Sequence, residues 1–324
     1  KTVVLLGDGM GDFPVEKLGN RTPLQAAHAP TIRQIAAAGE VRMVSTVPDG
    51  LPPGSDVANM AILGYDAALN YTGRAPIEAA GADLPMASDD VAFRCNLVTV
   101  QEGTMVDYSA GHISTEEAAE LIHALQNELG AAGLDFHVGV QYRHLLIWKN
   151  GAADAGCIPP HEISDQAVEP HLPKGSGSEA IRLLMERSKT ILAEHPVNQQ
   201  RVAEGKAPAT QIWLWGQGRS MQLDSYQHLY GLGGGIVSAV DLLKGLAKLA
   251  GLDAPDVVGA TGLIDTNYAG KVAAAKEILE REDFAYVHIE APDECGHLGD
   301  ATLKTEAIER FDAHVCAPML EWLE

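Results

Sequence analysis

The chain has 324 residues, 46% apolar and 21% charged, a composition that fits a folded globular protein and excludes a disordered or fibrous one. With 44 acidic against 23 basic residues the net charge is −21, so neither nucleic acid nor an anionic membrane is expected as a partner. An anionic ligand would then depend on metal ions or on clustered Arg and Lys.

The length predicts one large α/β domain carrying an insert, or two domains. Residues 2–6 read as a buried strand ending in Gly7-Asp8-Gly9, and with no cationic start followed by a long apolar stretch no signal peptide is expected. Residues 31–38 read as a helix, 41–46 as a strand and 48–54 as a Pro/Gly loop. Ser55 then opens a helix over 56–63. Residues 91–149 read as a β-β-α-β-β unit, with Ser114 and Glu117 forming a capping box for a helix over 115–129. Residues 151–178 return the chain to the main body. Strands follow at 212–215, 236–238 and 285–289, with helices over 239–250, 268–281 and 301–323 and a loop over 290–299. Gly231 to Gly235 read as a turn. Strand–helix alternation of this kind predicts a mostly parallel sheet with helices on both faces. No run of about 18 apolar residues exists to span a membrane. Four cysteines without CxxC spacing predict a reducing cytoplasm.

In open parallel sheets ligands bind beyond the carboxyl ends of the strands. Asp8 follows the first strand, and Ser55 starts a helix after a Pro/Gly loop. Asp293 and His297 follow the strand 285–289. Asp and His four apart share a helix face, and a carboxylate with an imidazole suits zinc or manganese better than magnesium. A serine at a helix N-terminus suits a phosphoryl group, and a bound metal would favour its alkoxide. Each feature alone also has an everyday structural explanation: Ser55 as a helix cap, Asp8 as a turn residue, Asp293 and His297 as surface groups. Their shared position at one sheet edge favours chemistry.

Further segments carry a resemblance. Gly7-Asp8-Gly9-Met10-Gly11-Asp12, Pro53-Gly54-Ser55-Asp56-Val57-Ala58-Asn59, Tyr71-Thr72-Gly73-Arg74-Ala75-Pro76-Ile77-Glu78-Ala79 and Phe93-Arg94-Cys95-Asn96-Leu97 stand in order. Asp107-Tyr108-Ser109-Ala110-Gly111-His112, Tyr142-Arg143, His195-Pro196-Val197-Asn198 and Gly259-Ala260-Thr261-Gly262 continue it. The chain thereby resembles the archaeal-type cofactor-independent phosphoglycerate mutases of the alkaline phosphatase superfamily. It looks closest to a bacterial branch described as proposed homoserine kinases, on Trp213 to Gly218 and Glu290 to Glu294.

The resemblance implies an alkaline-phosphatase-like α/β core over 1–85 and 179–324 with a small α+β insert over 86–178. It implies two divalent metals, manganese foremost and zinc, magnesium or cobalt otherwise. Asp8 and Ser55 would belong to one metal site, Asp293 and His297 to the other, with Ser55 as nucleophile. Arg74, Arg94, His112 and Arg143 would hold the phosphate or carboxylate of a small substrate. The family's remaining metal ligands would lie beyond Glu324, leaving an uncovered sheet edge beside 285–289. Three activities stay open: phosphoglycerate mutase, homoserine kinase without a P-loop, or a non-catalytic binding protein. Oligomeric state is left open.

Overall fold

The computed structural model describes residues 1–130 and 133–324. Its strands are β1 (Thr2–Gly7), β2 (Val91–Gln101), β3 (Thr104–Asp107), β4 (Leu134–Val140), β5 (Arg143–Trp148), β6 (Gln211–Arg219), β7 (Gly234–Val237) and β8 (Phe284–Ile289). The chain forms two compact units, one from residues 1–69 and 223–324, the other from 70–222.

The first unit is built on a parallel sheet in the order β1-β8-β7. Every residue of β8 is buried, and its side chains alternate between two apolar faces. Ala285, Val287 and Ile289 join a core with Ile278 and Leu279 of the helix Tyr268–Arg281 and with Phe311, Val315 and Met319 of the C-terminal helices. On the other face Phe284 meets the Tyr226 ring at 4.6 Å, and the Tyr286 hydroxyl donates to Asn59 at 2.6 Å. Helices therefore cover both faces, as the alternation predicts.

The second unit is antiparallel. β2 is its spine, pairing with β3, β5 and β6, and β5 pairs with β4. The helix Thr115–Leu129 starts at the expected capping box, with the Ser114 side chain accepting from the Glu117 N–H and the Glu117 side chain reaching back. A helix not anticipated, Ser178–Ala193, buries Ile181, Leu184, Met185, Ser188 and Leu192 at helical spacing.

Several expectations are corrected. The second unit extends past 86–178 on both sides, because β6 hydrogen-bonds to β2 and the helix Arg74–Gly81 lies on both. Residues 41–46 form no strand; Val41, Met43 and Val44 are exposed and no described neighbour offers them a ladder. The uncovered edge expected beside residues 285–289 is absent, since β8 is central and paired on both sides. Residues 291–297 are helical rather than looped. Of the glycine-rich turn, Gly231 ends a helix while Gly234 and Gly235 enter β7. The expected helix over 301–323 is broken by a π-helical stretch, Asp312–Cys316. There the buried Asp312 carboxylate accepts from the N–H groups of Thr31 (3.2 Å) and Ile32 (2.6 Å), capping the helix Pro30–Ala38 from across the fold.

Candidate functional site

The three parallel strands of the first unit end together. Gly7 pairs with Ile289 and Val237 with Val287, so Asp8, Ser238 and Glu290 emerge at the same carboxyl edge. His288, the penultimate residue of β8, is 1% exposed and joins two of these ends. Its Nε2 lies 3.1 Å from Asp8 Oδ2, and its Nδ1 lies 3.1 Å from Ser238 Oγ. A carboxylate only accepts, so Nε2 carries the proton and donates to Asp8. Ser238 Oγ also accepts from the Val240 N–H, so it ties Nδ1 of His288 to the backbone after β7.

Burial pushes the Asp8 carboxyl up, but His288, the Gly9 N–H and Asn59 outweigh it and hold Asp8 below the usual range. Asn59 also ties in Ser55: its Nδ2 donates to the Ser55 carbonyl at 2.9 Å, one turn back along the helix Ser55–Ile62. Ser55 is not the cap of that helix. Gly54 holds the cap position and Ser55 is the first helical residue, so its hydroxyl is not committed to capping.

Asp293 and His297 sit on the short helix Ala291–His297, with Nε2 of His297 3.2 Å from Asp293 Oδ2. This helix presses on the loop after β1. Gly9 has φ +66, and a Cβ there would stand 2.5 Å from the Asp293 Cα. Only glycine permits that approach, which brings the Asp8 and Asp293 segments together. Glu290 completes an acidic group. Its carboxyl is pushed up to about 7 by burial, then by Glu294, Asp8 and Asp293, against the pull of Lys271. Lys271 is buried, donates to the His288 carbonyl at 3.1 Å, and is pushed down to about 8 by burial.

The donor set of Asp8, Asp293, His297 and the Ser55 hydroxyl is chemically suited to a divalent cation, and the crowded carboxylates are what a cation would relieve. Among the described residues no three His, Cys, Asp or Glu side chains stand at ligand geometry together.

The second unit gathers Arg74, Arg94 and Arg143 around Glu78. Arg74 Nε donates to Glu78 Oε1 at 2.9 Å, and Arg94 Nε lies 2.9 Å from Oε2. Burial alone would push the Glu78 carboxyl up; Arg94 first, then Arg74 and Arg143, hold it below its usual value. His112 lies on the exposed turn after β3, at φ 48, where Asp107 accepts from Ser109 and Gly111. The ordered arginines were legible from the sequence. Glu78 and His288 were not singled out, although a histidine in an otherwise apolar buried strand signals that it has a polar partner.

An α/β protein with a mixed carboxylate, imidazole and serine group at the ends of parallel strands is a candidate for chemistry on an anionic substrate. The comparisons make the class definite. The family described as 2,3-bisphosphoglycerate-independent phosphoglycerate mutase matches residues 36–198. The mutase of Methanosarcina mazei is 52% identical over 325 residues, covering 100% of this chain and 82% of that protein. That of Methanothrix thermoacetophila is 52% identical over 324 residues, with the same coverage. Among solved structures, the cofactor-independent phosphoglycerate mutase of Thermoplasma acidophilum matches with a TM-score of 0.59 at 29% identity, over 98% of this chain and 82% of that one. A Pyrococcus horikoshii protein matches at 0.79 and 28% identity, over 98% and 77%. The chain belongs to the 2,3-bisphosphoglycerate-independent phosphoglycerate mutase family, a family of isomerases. The reading as a non-catalytic protein falls, and relatives at about half identity bearing the mutase name do not favour a homoserine kinase. No helix among the described residues is long and apolar enough to cross a membrane.

Proposed function

We propose that the protein interconverts 3- and 2-phosphoglycerate through a phosphoserine at Ser55. The observation that supports this best is the meeting of the Asp8 and Asp293 segments across Gly9, at the edge where β1 and β8 end. Asp8 and Ser55 would hold one divalent cation and Asp293 and His297 a second, with manganese the ion whose preferences best fit mixed oxygen and imidazole donors. Bound cations would neutralise phosphate charge and lower the pKa of the serine hydroxyl.

The chain's own residues account for the rest. The Ser55 oxygen forms a bond to phosphorus as the bond from phosphorus to the substrate's 3-oxygen breaks. The serine proton is given up, and the departing oxygen takes one up. Glycerate then turns, and its 2-hydroxyl recovers the phosphoryl group and frees Ser55. His288 keeps Asp8 ionised and oriented throughout. Arg74, Arg94, Arg143 and His112 are assigned to recognition of the carboxylate or phosphate.

An enolase-coupled assay with manganese and 3-phosphoglycerate, run beside homoserine plus ATP, tests the proposal. Turnover of phosphoglycerate alone supports it. Phosphorylation of homoserine with no mutase turnover contradicts it.

A further inference from the structure

Glu78 is half-buried, acidic and placed among arginines assigned to anion binding. At first sight it works against them. The helix Arg74–Gly81 carries Arg74 in its first position and Glu78 one turn later. The two oxygens of Glu78 divide their work: Oε1 accepts from Arg74 Nε at 2.9 Å, and Oε2 forms an ion pair with Arg94, whose Nε stands 2.9 Å away without hydrogen-bond geometry. An arginine that meets a carboxylate end-on spends its Nη pair on that contact. Arg74, engaged through Nε, keeps its Nη pair out of that contact.

The plane of Arg94 is fixed a second time. Its Cζ stands 4.5 Å from the centre of the Trp215 ring, and the Trp215 Nε1–H donates to Asn96 Oδ1 at 3.1 Å. Arg94 and Trp215 are register partners on β2 and β6. Arg143 lies over Tyr142, its Cζ 5.5 Å from the ring centre. The helix is seated just as firmly. A Cβ on Gly73 would lie 2.1 Å from the Gln217 carbonyl, and one on Gly218 would lie 2.3 Å from that of Thr72. Two bare backbones in contact thus pin the start of the helix onto β6. The group is open to solvent on the side of Arg74, whose side chain is 31% exposed against 14% for Glu78 and 10% for Arg94.

We propose that Glu78 is a positioning residue: it aligns Arg74 and Arg94 into an anion cradle that takes a carboxylate or phosphate group. The choice of phosphoglycerate as ligand rests on the proposed function; the alignment does not. Three arginines and one glutamate leave a formal charge of +2, and Glu78→Gln raises it to +3. If charge alone matters, that substitution tightens anion binding. If alignment matters, it weakens binding, because an amide lacks the charge that holds Arg94 and offers one acceptor oxygen in place of two equivalent ones.

The test is calorimetric titration of the full chain with inorganic phosphate, together with KM and kcat for 3-phosphoglycerate in the manganese-loaded enzyme. Glu78→Gln is expected to weaken phosphate binding at least tenfold and to raise KM by a similar factor. The change in kcat should stay within about threefold, and Glu78→Asp should recover part of the loss. Phosphate binding that is unchanged or tighter in a folded Glu78→Gln protein overturns the proposal. Should that variant fail to fold, Arg94→Lys keeps the charge and loses the fork; a tenfold weaker affinity for phosphate supports alignment, and an unchanged affinity overturns it. Glu78-dependent phosphate binding in a wild-type protein without mutase turnover would refute the proposed function and leave the cradle standing.

Discussion

Two half-buried glutamates show how differently the two units arrange charge around one side chain. Glu290 of the first unit is pushed up to about 7, whereas Glu78 of the second is held below its ordinary value. Burial acts on both in the same direction, so the neighbours decide. Glu290 faces Glu294, Asp8 and Asp293 with only Lys271 in opposition. Glu78 faces Arg94, Arg74 and Arg143. One unit concentrates negative charge at strand ends and is suited to cations; the other concentrates positive charge and is suited to anions. In a chain of net charge −21 the second arrangement is the one that composition alone does not supply.

The largest effect should come from the nucleophile. Ser55→Ala is expected to lower mutase turnover at least about 1,000-fold, or ~4 kcal/mol of transition-state stabilisation. Folding should be nearly untouched, since Gly54 rather than Ser55 occupies the cap position and alanine is a good helix former. A coupled assay and a thermal melt on the same preparation check both halves.

Gly9→Ala comes next. The new Cβ meets the Asp293 backbone at 2.5 Å, in a left-handed conformation that alanine resists. The substitution should separate the Asp8 and Asp293 segments, lower turnover about 100-fold, and destabilise by about 2 kcal/mol in urea unfolding. Near-normal turnover would show that their approach does not matter.

His288→Ala removes the link between Asp8 and Ser238. It should destabilise the fold by about 1–3 kcal/mol, the range for a buried polar group left without its partner, and lower turnover about tenfold. Unchanged stability would mean that the hydrogen bonds through His288 carry little.

The smallest effect sharpens the contrast between the glutamates. Glu78 titrates below its unfolded value, so the stability it contributes is present above that value, 4.5, and is lost as pH falls through the lower folded one. Melting curves of wild type and Glu78→Gln should therefore converge on acidification below about pH 4. A constant difference down to the acid limb would show that the arginines do not depress Glu78.

Legibility followed the range of the forces involved. Local signals were readable: the Ser114 capping box and the buried strand over 285–289 stand as expected, while Asp293 and His297 share a short helix where a loop was expected. The helix Ser178–Ala193 carries an equally readable period at Ile181, Leu184, Met185, Ser188 and Leu192, and was passed over beside the Pro/Gly-containing stretch before it. What could not be read was long-range. Residues 41–46 have strand-like composition, but a strand exists only where another edge accepts it. The Asp312 carboxylate, where the π-helical stretch begins, meets two N–H groups some 280 residues earlier. The centrality of β8 and the antiparallel placement of β6 are matters of pairing order, which alternation of strands and helices does not determine. In the candidate site, residues with chemical signatures stand out in the sequence, while Asn59 and Glu78 stand in the resemblance motifs and His288 in its strand with no role assigned. Their meaning lies in neighbours from distant segments.

The most direct test of the central claim is the chemical state of Ser55 during turnover. The manganese-loaded protein would be mixed with 3-phosphoglycerate, quenched in acid within a turnover, digested, and its peptides examined by mass spectrometry. The account predicts a phosphoryl group on the peptide containing Ser55, at the serine itself, and none in Ser55→Ala. Mutase turnover with Ser55 unmodified at every quench time, and retained in Ser55→Ala, would contradict it.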